Sequence, residues 1–216
     1  MKQRFELIIF DWDGTLIDSI EWIVHCLQHA ARQCGLPASS EQAARDVIGL
    51  SIHEAMRALF PKVASDTHTA LVDAYETLFA SRQPGPEDLF DGVPALLDEL
   101  DSAGYQLAVA TGKSRRGLDA VLATTQTAHH FAATRCADET ASKPHPRMLL
   151  EILDELNVPA ERALMVGDSV HDMQMARHAS MPAIAVATGT HPPDLLQRFE
   201  PLHCLSAITD LPLVLA

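Results

Sequence analysis

Asp11-Trp-Asp-Gly-Thr-Leu-Ile-Asp-Ser19 brings together more reactive side chains than any other stretch of this chain. Two carboxylates stand two residues apart, directly after the apolar run Leu7-Ile-Ile-Phe10. Positions i and i+2 of an extended segment share a face, so Asp11 and Asp13 converge where the run ends. Gly14 lets the backbone turn tightly there and leaves nearby amides facing a bound anion. Three later segments carry matching groups. Thr111-Gly112 offers a hydroxyl and a flexible turn suited to a phosphate oxygen. Ser142-Lys143-Pro144 offers an ammonium ahead of a helix, pinned by Pro144 and Pro146. Gly167-Asp168-Ser169-Val-His-Asp172 offers two carboxylates four apart, expected on one helix face as the chain leaves a strand. Taken singly, each reads as an ordinary turn, cap or solvated residue. Their arrival at successive strand ends is what gives them weight.

The elements that must position these groups follow from the apolar pattern. Leu7–Phe10, Gln106–Ala110, Ala163–Val166 and Ala183–Val186 are short, nearly continuous apolar runs. Between the later ones lie helix-period stripes: Val93, Leu96, Leu97, Leu100, and Leu149, Ile152, Leu153, Leu156. Strands apolar on both faces, alternating with amphipathic helices, imply a doubly wound parallel α/β sheet. The carboxyl edge of such a sheet is where ligands bind. Residues 16–86 break the alternation and read as four helices. Asp18-x-x-Glu21, Ser39-x-x-Gln42 and Ser51-x-x-Glu54 supply start signals, and Pro84-Gly-Pro86 a linker-type break. The expected organisation is an α/β core from 1–15 and 87–216, with an all-helical insert at 16–86 and hinges near 15–18 and 82–87.

Composition narrows the function. At 47% apolar and 21% charged, the chain is an ordinary globular one. A formal charge of −13 disfavours a nucleic-acid partner. No apolar run approaches the ~18 residues of a membrane helix, and Leu7–Phe10 is too short for a signal peptide. Cys26, Cys34, Cys136 and Cys204 show no paired spacing. Reduced thiols and a cytoplasmic location are expected. Oligomeric state, monomer or homodimer, is left open.

In order and spacing, D-x-D-G-T at 11–15, Thr111, Lys143 and G-D-x-x-x-D at 167–172 resemble the four signature motifs of the haloacid dehalogenase (HAD) superfamily. The insert resembles its type-1 helical cap. The pattern is most similar to phosphoglycolate phosphatase-like and β-phosphoglucomutase-like proteins. That resemblance implies a Rossmann-like HAD core and a Mg²⁺-dependent phosphoric monoester hydrolase acting on a small phosphorylated metabolite, of phosphoglycolate or sugar-phosphate type. Asp11 would be the nucleophile and form an aspartyl-phosphate, with Asp13 as general acid and base. Mg²⁺ would bind Asp11, the Asp13 carbonyl and Asp168, with Asp172 binding or orienting groups of the metal site. Thr111, Gly112, Lys143 and Gly14 would surround the phosphate. The physical need is independent of the family: a carboxylate attacking a phosphate dianion requires local positive charge. Asp13 also argues for an ester, because a halide leaving group needs no proton.

Two departures stand out. Gly112-Lys113 replaces the Asn or Ser that commonly follows the second-motif Thr, and Ala179-Ser180 replaces Ala-Gly. Lys143 is the sole basic residue counted within the motifs. Two other readings compete: a phosphosugar mutase on the same scaffold, and a phospho-accepting signalling receiver. His25 and His29, at i and i+4, lack a third metal ligand, and His53 lacks a partner. His171 is expected near the site. Arg45 and the Gly49-Leu50-Ser51 turn are candidates to face it from the insert, and Arg115 and Arg116 to meet an anionic tail.

Overall fold

The computed structural model describes residues 4–215. In chain order its elements begin with β1 (Leu7–Phe10) and then α1 (Ile20–Gln33), α2 (Glu41–Asp46), α3 (Ile52–Leu59) and α4 (Ser65–Phe79). Next come α5 (Val93–Ser102), β2 (Gln106–Thr111), α6 (Arg115–Thr125), β3 (Phe131–Cys136) and α7 (Arg147–Leu156). The chain closes with β4 (Ala163–Gly167), α8 (Val170–His178), β5 (Ala183–Val186), α9 (Pro193–Leu196), β6 (Cys204–Leu205) and α10 (Leu211–Leu215). All strand pairs are parallel and the order is β3-β2-β1-β4-β5-β6. This doubly wound order reverses at the centre, beside β1 and β4.

β1 shows why the expected sheet forms. All four of its residues are buried, and they alternate between two cores. Ile8 and Phe10 pack with Leu96, Leu97, Leu118 and Leu211 on one face. Leu7 and Ile9 pack with Met148, Ile152 and Met175 on the other. Helices cover both faces, so the strand is apolar throughout. β3 and β6 were not expected from the sequence. β3 is an edge strand carrying a half-buried Arg135, and β6 has only two residues, so neither shows an apolar run.

The insert has a core of its own: Val24 and Leu27 of α1, Met56 of α3 and Leu71 of α4 join Val47 and Ile48. Its exit and return run side by side, with Ile17 bridged to Leu89 and the Asp18 amide donating to the Asp88 carbonyl at 2.8 Å. Two start signals shift by one residue. α1 is preceded by Ser19, whose side chain does not cap it, and α2 is capped by Ser40, not Ser39. The Ser51 cap is as expected, accepting from the Glu54 amide.

Candidate functional site

β1 and β4 run in register, Phe10 beside Val166, so the residues that follow them emerge together at the carboxyl edge. The carboxylate oxygens of Asp11, Asp168 and Asp172 lie within 4.8 Å of one another, all three buried. Lys143 reaches them from the loop between β3 and α7. Its Nζ lies 2.7 Å from Asp11 Oδ1 and 2.7 Å from Asp172 Oδ1. Thr111, the last residue of β2, is fully buried and accepts a hydrogen bond from the Lys113 amide at 3.2 Å.

Asp168 and Asp172 do not share a helix face as the spacing suggested. Asp168 sits in the turn before α8, accepting from Thr15 Oγ1 at 2.8 Å and from the Thr190 amide at 2.7 Å. Asp172 is the third residue of α8 and closes its N-terminus. Its Oδ2 accepts from the Ser169 amide and hydroxyl, and Ser169 Oγ accepts from the Asp172 amide. This reciprocal cap is worth about 1 kcal/mol in an ordinary helix. Here it also aims Oδ1 at Lys143.

Three carboxylates with one ammonium leave an excess of negative charge where water is excluded. Burial raises the pKa of Asp11 well above the ordinary carboxylate range, against the pull of Lys143 and with a further push from Asp172 and Asp168. Burial, with Asp172 beside it, raises Asp168 to about 6. The paired carboxylates hold Lys143 protonated in spite of its burial. Such a cluster, with an unmet demand for positive charge and hard oxygen donors, fits a small divalent cation. Asp172 is the exception, since both its oxygens are already committed. Backbone packs tightly here: a Cβ on Gly14, whose φ is +81°, would fall 2.5 Å from Asp168 Oδ2.

Asp13 points differently. Its Oδ1 accepts from Ser19 Oγ at 2.5 Å and lies 2.9 Å from Lys113 Nζ. Lys113 also lies 4.6 Å from the centre of the Phe79 ring at the end of α4. A second ammonium therefore stands at the site, and Lys143 is not its only basic residue. The available signal was position: Lys113 lies two residues beyond the strand-end Thr111, on the same face of an extended segment. Thr190 was also missed, because it arrives on a loop after β5, and Thr15, part of D-x-D-G-T, was assigned no partner.

The insert closes over this edge. The Ser51 amide donates to Ser142 Oγ at 2.8 Å, and His171 Nε2 lies 2.9 Å from the Asp46 carbonyl. Gly112 lies directly beneath the insert: a Cβ there would fall 2.6 Å from the carbonyl oxygens of both Gly49 and Leu50. Between insert and core remains a cavity of about 470 Å³, lined by Asp11, Asp13, Gly49, Leu50, Gly112 and Lys113 among others.

Apart from Arg116, the remaining candidates are spent elsewhere. Arg45 is tied to Glu21 and Glu41 on the insert. Arg115 is held by Glu139, Asp119 and Thr134. Arg116 stands exposed at the cavity mouth. His25 stacks between Trp22 and His29, and His53 stacks on His68.

Comparison with known proteins agrees with this architecture. The chain is 37% identical over 199 residues to a probable phosphatase, IndB, of Dickeya dadantii, covering 90% of this chain and 86% of that one. It is 32% identical over 215 residues to a phosphoglycolate phosphatase of Mesorhizobium japonicum, covering 97% and 94%. A haloacid dehalogenase-like hydrolase structure from Bacteroides fragilis superposes with a TM-score of 0.87 at 23% identity, over 96% of this chain and 99% of that one. Residues 8–186 match the sequence profile of the haloacid dehalogenase-like hydrolases, and the chain belongs to that family.

Proposed function

We propose that the chain is a Mg²⁺-dependent phosphomonoesterase that works through an aspartyl-phosphate on Asp11. The observation that carries this reading is the gathering of Asp11, Asp168, Asp172 and Lys143 into one buried cluster at the switch point of the sheet. Asp11 and Asp168, with the Asp13 backbone carbonyl, would hold the ion, and Asp172 orients Lys143. A hard divalent cation there supplies the positive charge that offsets repulsion between carboxylate and phosphate.

Asp11 attacks phosphorus and the P–O bond to the alcohol breaks. Asp13 gives its proton to the departing oxygen. The Asp13 carboxylate then takes a proton from water, which attacks the same phosphorus and returns Asp11 with release of phosphate. Lys143 and the Thr111 hydroxyl hold the transferring oxygens, whereas the amides of Thr15, Leu16 and Ile17 after Gly14 are spent on the Trp12 carbonyl. Residues 16–86 act as a cap that excludes water, hinged where Ile17 meets Leu89. The signalling alternative is disfavoured by the sheet, because receivers follow the order 2-1-3-4-5. A small-molecule ester in the reducing cytoplasm accords with four free cysteines and, among the described residues, no helix long and apolar enough to cross a membrane.

Phosphate release from p-nitrophenyl phosphate, with Mg²⁺ and with a chelator, tests the reading. Activity should require the metal and fall at least ~1,000-fold in Asp11→Asn, as loss of a nucleophile demands. Full activity of that variant would overturn it.

A further inference from the structure

The cavity that opens from Asp11 and Asp13 runs into the cap, and there its walls are Ile23, Leu27, Val47, Ile52, Tyr75 and Phe79. The Tyr75 phenol makes no hydrogen bond among the described residues. Among the described residues, no buried cation stands free on this side. Lys113 is paired with Asp13, and Arg82 is exposed and paired with Asp88. The other polar side chains, Gln83, Ser114, Arg116 and Thr124, are exposed at the mouth, as is Glu76. A second anionic group on the substrate would lose its hydration without gaining a buried partner, and a polyhydroxylated one would leave most hydroxyls unpaired. Hydrocarbon is what these walls favour. The volume of about 470 Å³ also exceeds the ~150 Å³ that accommodates one benzene.

We propose that the alcohol released is predominantly apolar: the substrate class is a medium-chain alkyl or aryl phosphate monoester. Its phosphate lies at Asp11 and its hydrocarbon among Ile23, Leu27, Val47, Ile52 and Phe79. The Tyr75 phenol is the one polar contact inside. This rests on the phosphatase reading above and sets it apart from a preference for phosphoglycolate.

Initial rates with n-alkyl phosphates from ethyl to hexyl test it, since their leaving groups match in intrinsic reactivity. Phosphoglycolate and p-nitrophenyl phosphate are run beside them, all with Mg²⁺. Burial of each methylene should raise kcat/KM about fourfold, so hexyl phosphate should exceed ethyl phosphate by on the order of 100-fold and exceed phosphoglycolate as well. Ile52→Asn should flatten the series to less than about twofold per methylene and also lower the rate on p-nitrophenyl phosphate, whose ring meets the same wall. Inhibition of the unaltered protein by n-alkylphosphonates, tightening with chain length, reads the same wall without any substitution. A flat or falling series, or phosphoglycolate as the better substrate, overturns the inference and leaves the phosphatase intact. Failure to hydrolyse any ester, p-nitrophenyl phosphate included, overturns the phosphatase reading and this inference together.

Discussion

Both oxygens of Asp172 are committed, one to Lys143 and one to the N-terminus of α8, so a single carboxylate ties the ammonium to the helix that carries it. Asp172→Asn keeps the shape but removes the charge that opposes Lys143. The buried ammonium then leans on Asp11 alone. We expect kcat to fall by about 100-fold, the scale of losing one electrostatic support, with a modest loss of Tm because repulsion among the carboxylates is also relieved. Steady-state kinetics and a thermal melt check both. Lys113 has a different task. Its Nζ meets Asp13 and also stands over the Phe79 ring of the cap, so it joins the proposed proton donor to the closed lid. Lys113→Met retains the stem and loses the charge. The expected result is a fall of roughly 10-fold or more in kcat/KM together with a lower Tm, because the nearly buried Asp13 carboxylate loses its cation. Unaltered kinetics would separate Lys113 from the chemistry.

At the scale of elements, the question is how a four-helix insert sits on a sheet edge. Gly112 is the closest approach. A methyl group there meets two backbone carbonyls, which cannot swing aside as a side-chain tip would. Gly112→Ala should hold the cap open: KM rises and kcat/KM drops about 10-fold, while separate cores keep Tm within a few degrees. A second contact brings pH dependence. His191 is almost fully buried, its Nε2 lies 3.7 Å from Asp46 Oδ1 of the insert, and its ring meets His171 edge-on. Burial lowers the pKa of both histidines below the ordinary value of 6.5, and for His191 the neighbouring His171 adds to the effect. The folded chain therefore binds fewer protons than the unfolded chain, and stability is lost as pH falls from 6.5 through the lowered values. Between pH 7 and 5, Tm should fall more for the unaltered protein than for His191→Gln. Parallel losses would remove this pair from the account.

For the whole molecule, the carboxylate cluster couples metal to folding. Asp11 and Asp168 are held above their ordinary pKa by burial, which costs stability whenever they ionise without a cation. A ligand that binds only the folded state adds about 2.7 kcal/mol at one hundred times its Kd, or roughly 5–10 °C for a chain of this size. Adding Mg²⁺ to chelated protein should raise Tm by that order, and Asp168→Asn should abolish most of the rise.

Much of this protein was legible one residue at a time. A buried parallel strand must be apolar on both faces, so Leu7–Phe10 and Ala163–Val166 identified themselves, and carboxylates placed directly after such strands marked the working edge. Edge strands answer to weaker demands, which is why β3 and β6 left no such trace. Other features were decided only by the tertiary structure, because they depend on contacts between distant segments. Lys113 finds Asp13 across 100 positions of chain. Asp172 divides itself between a helix cap and an ammonium. A glycine after β2 proves to be the seat of the cap, and helices whose outward pattern is unremarkable meet the core around a cavity walled with hydrocarbon. Periodicity records which face of an element is dry, but not which neighbour makes it so.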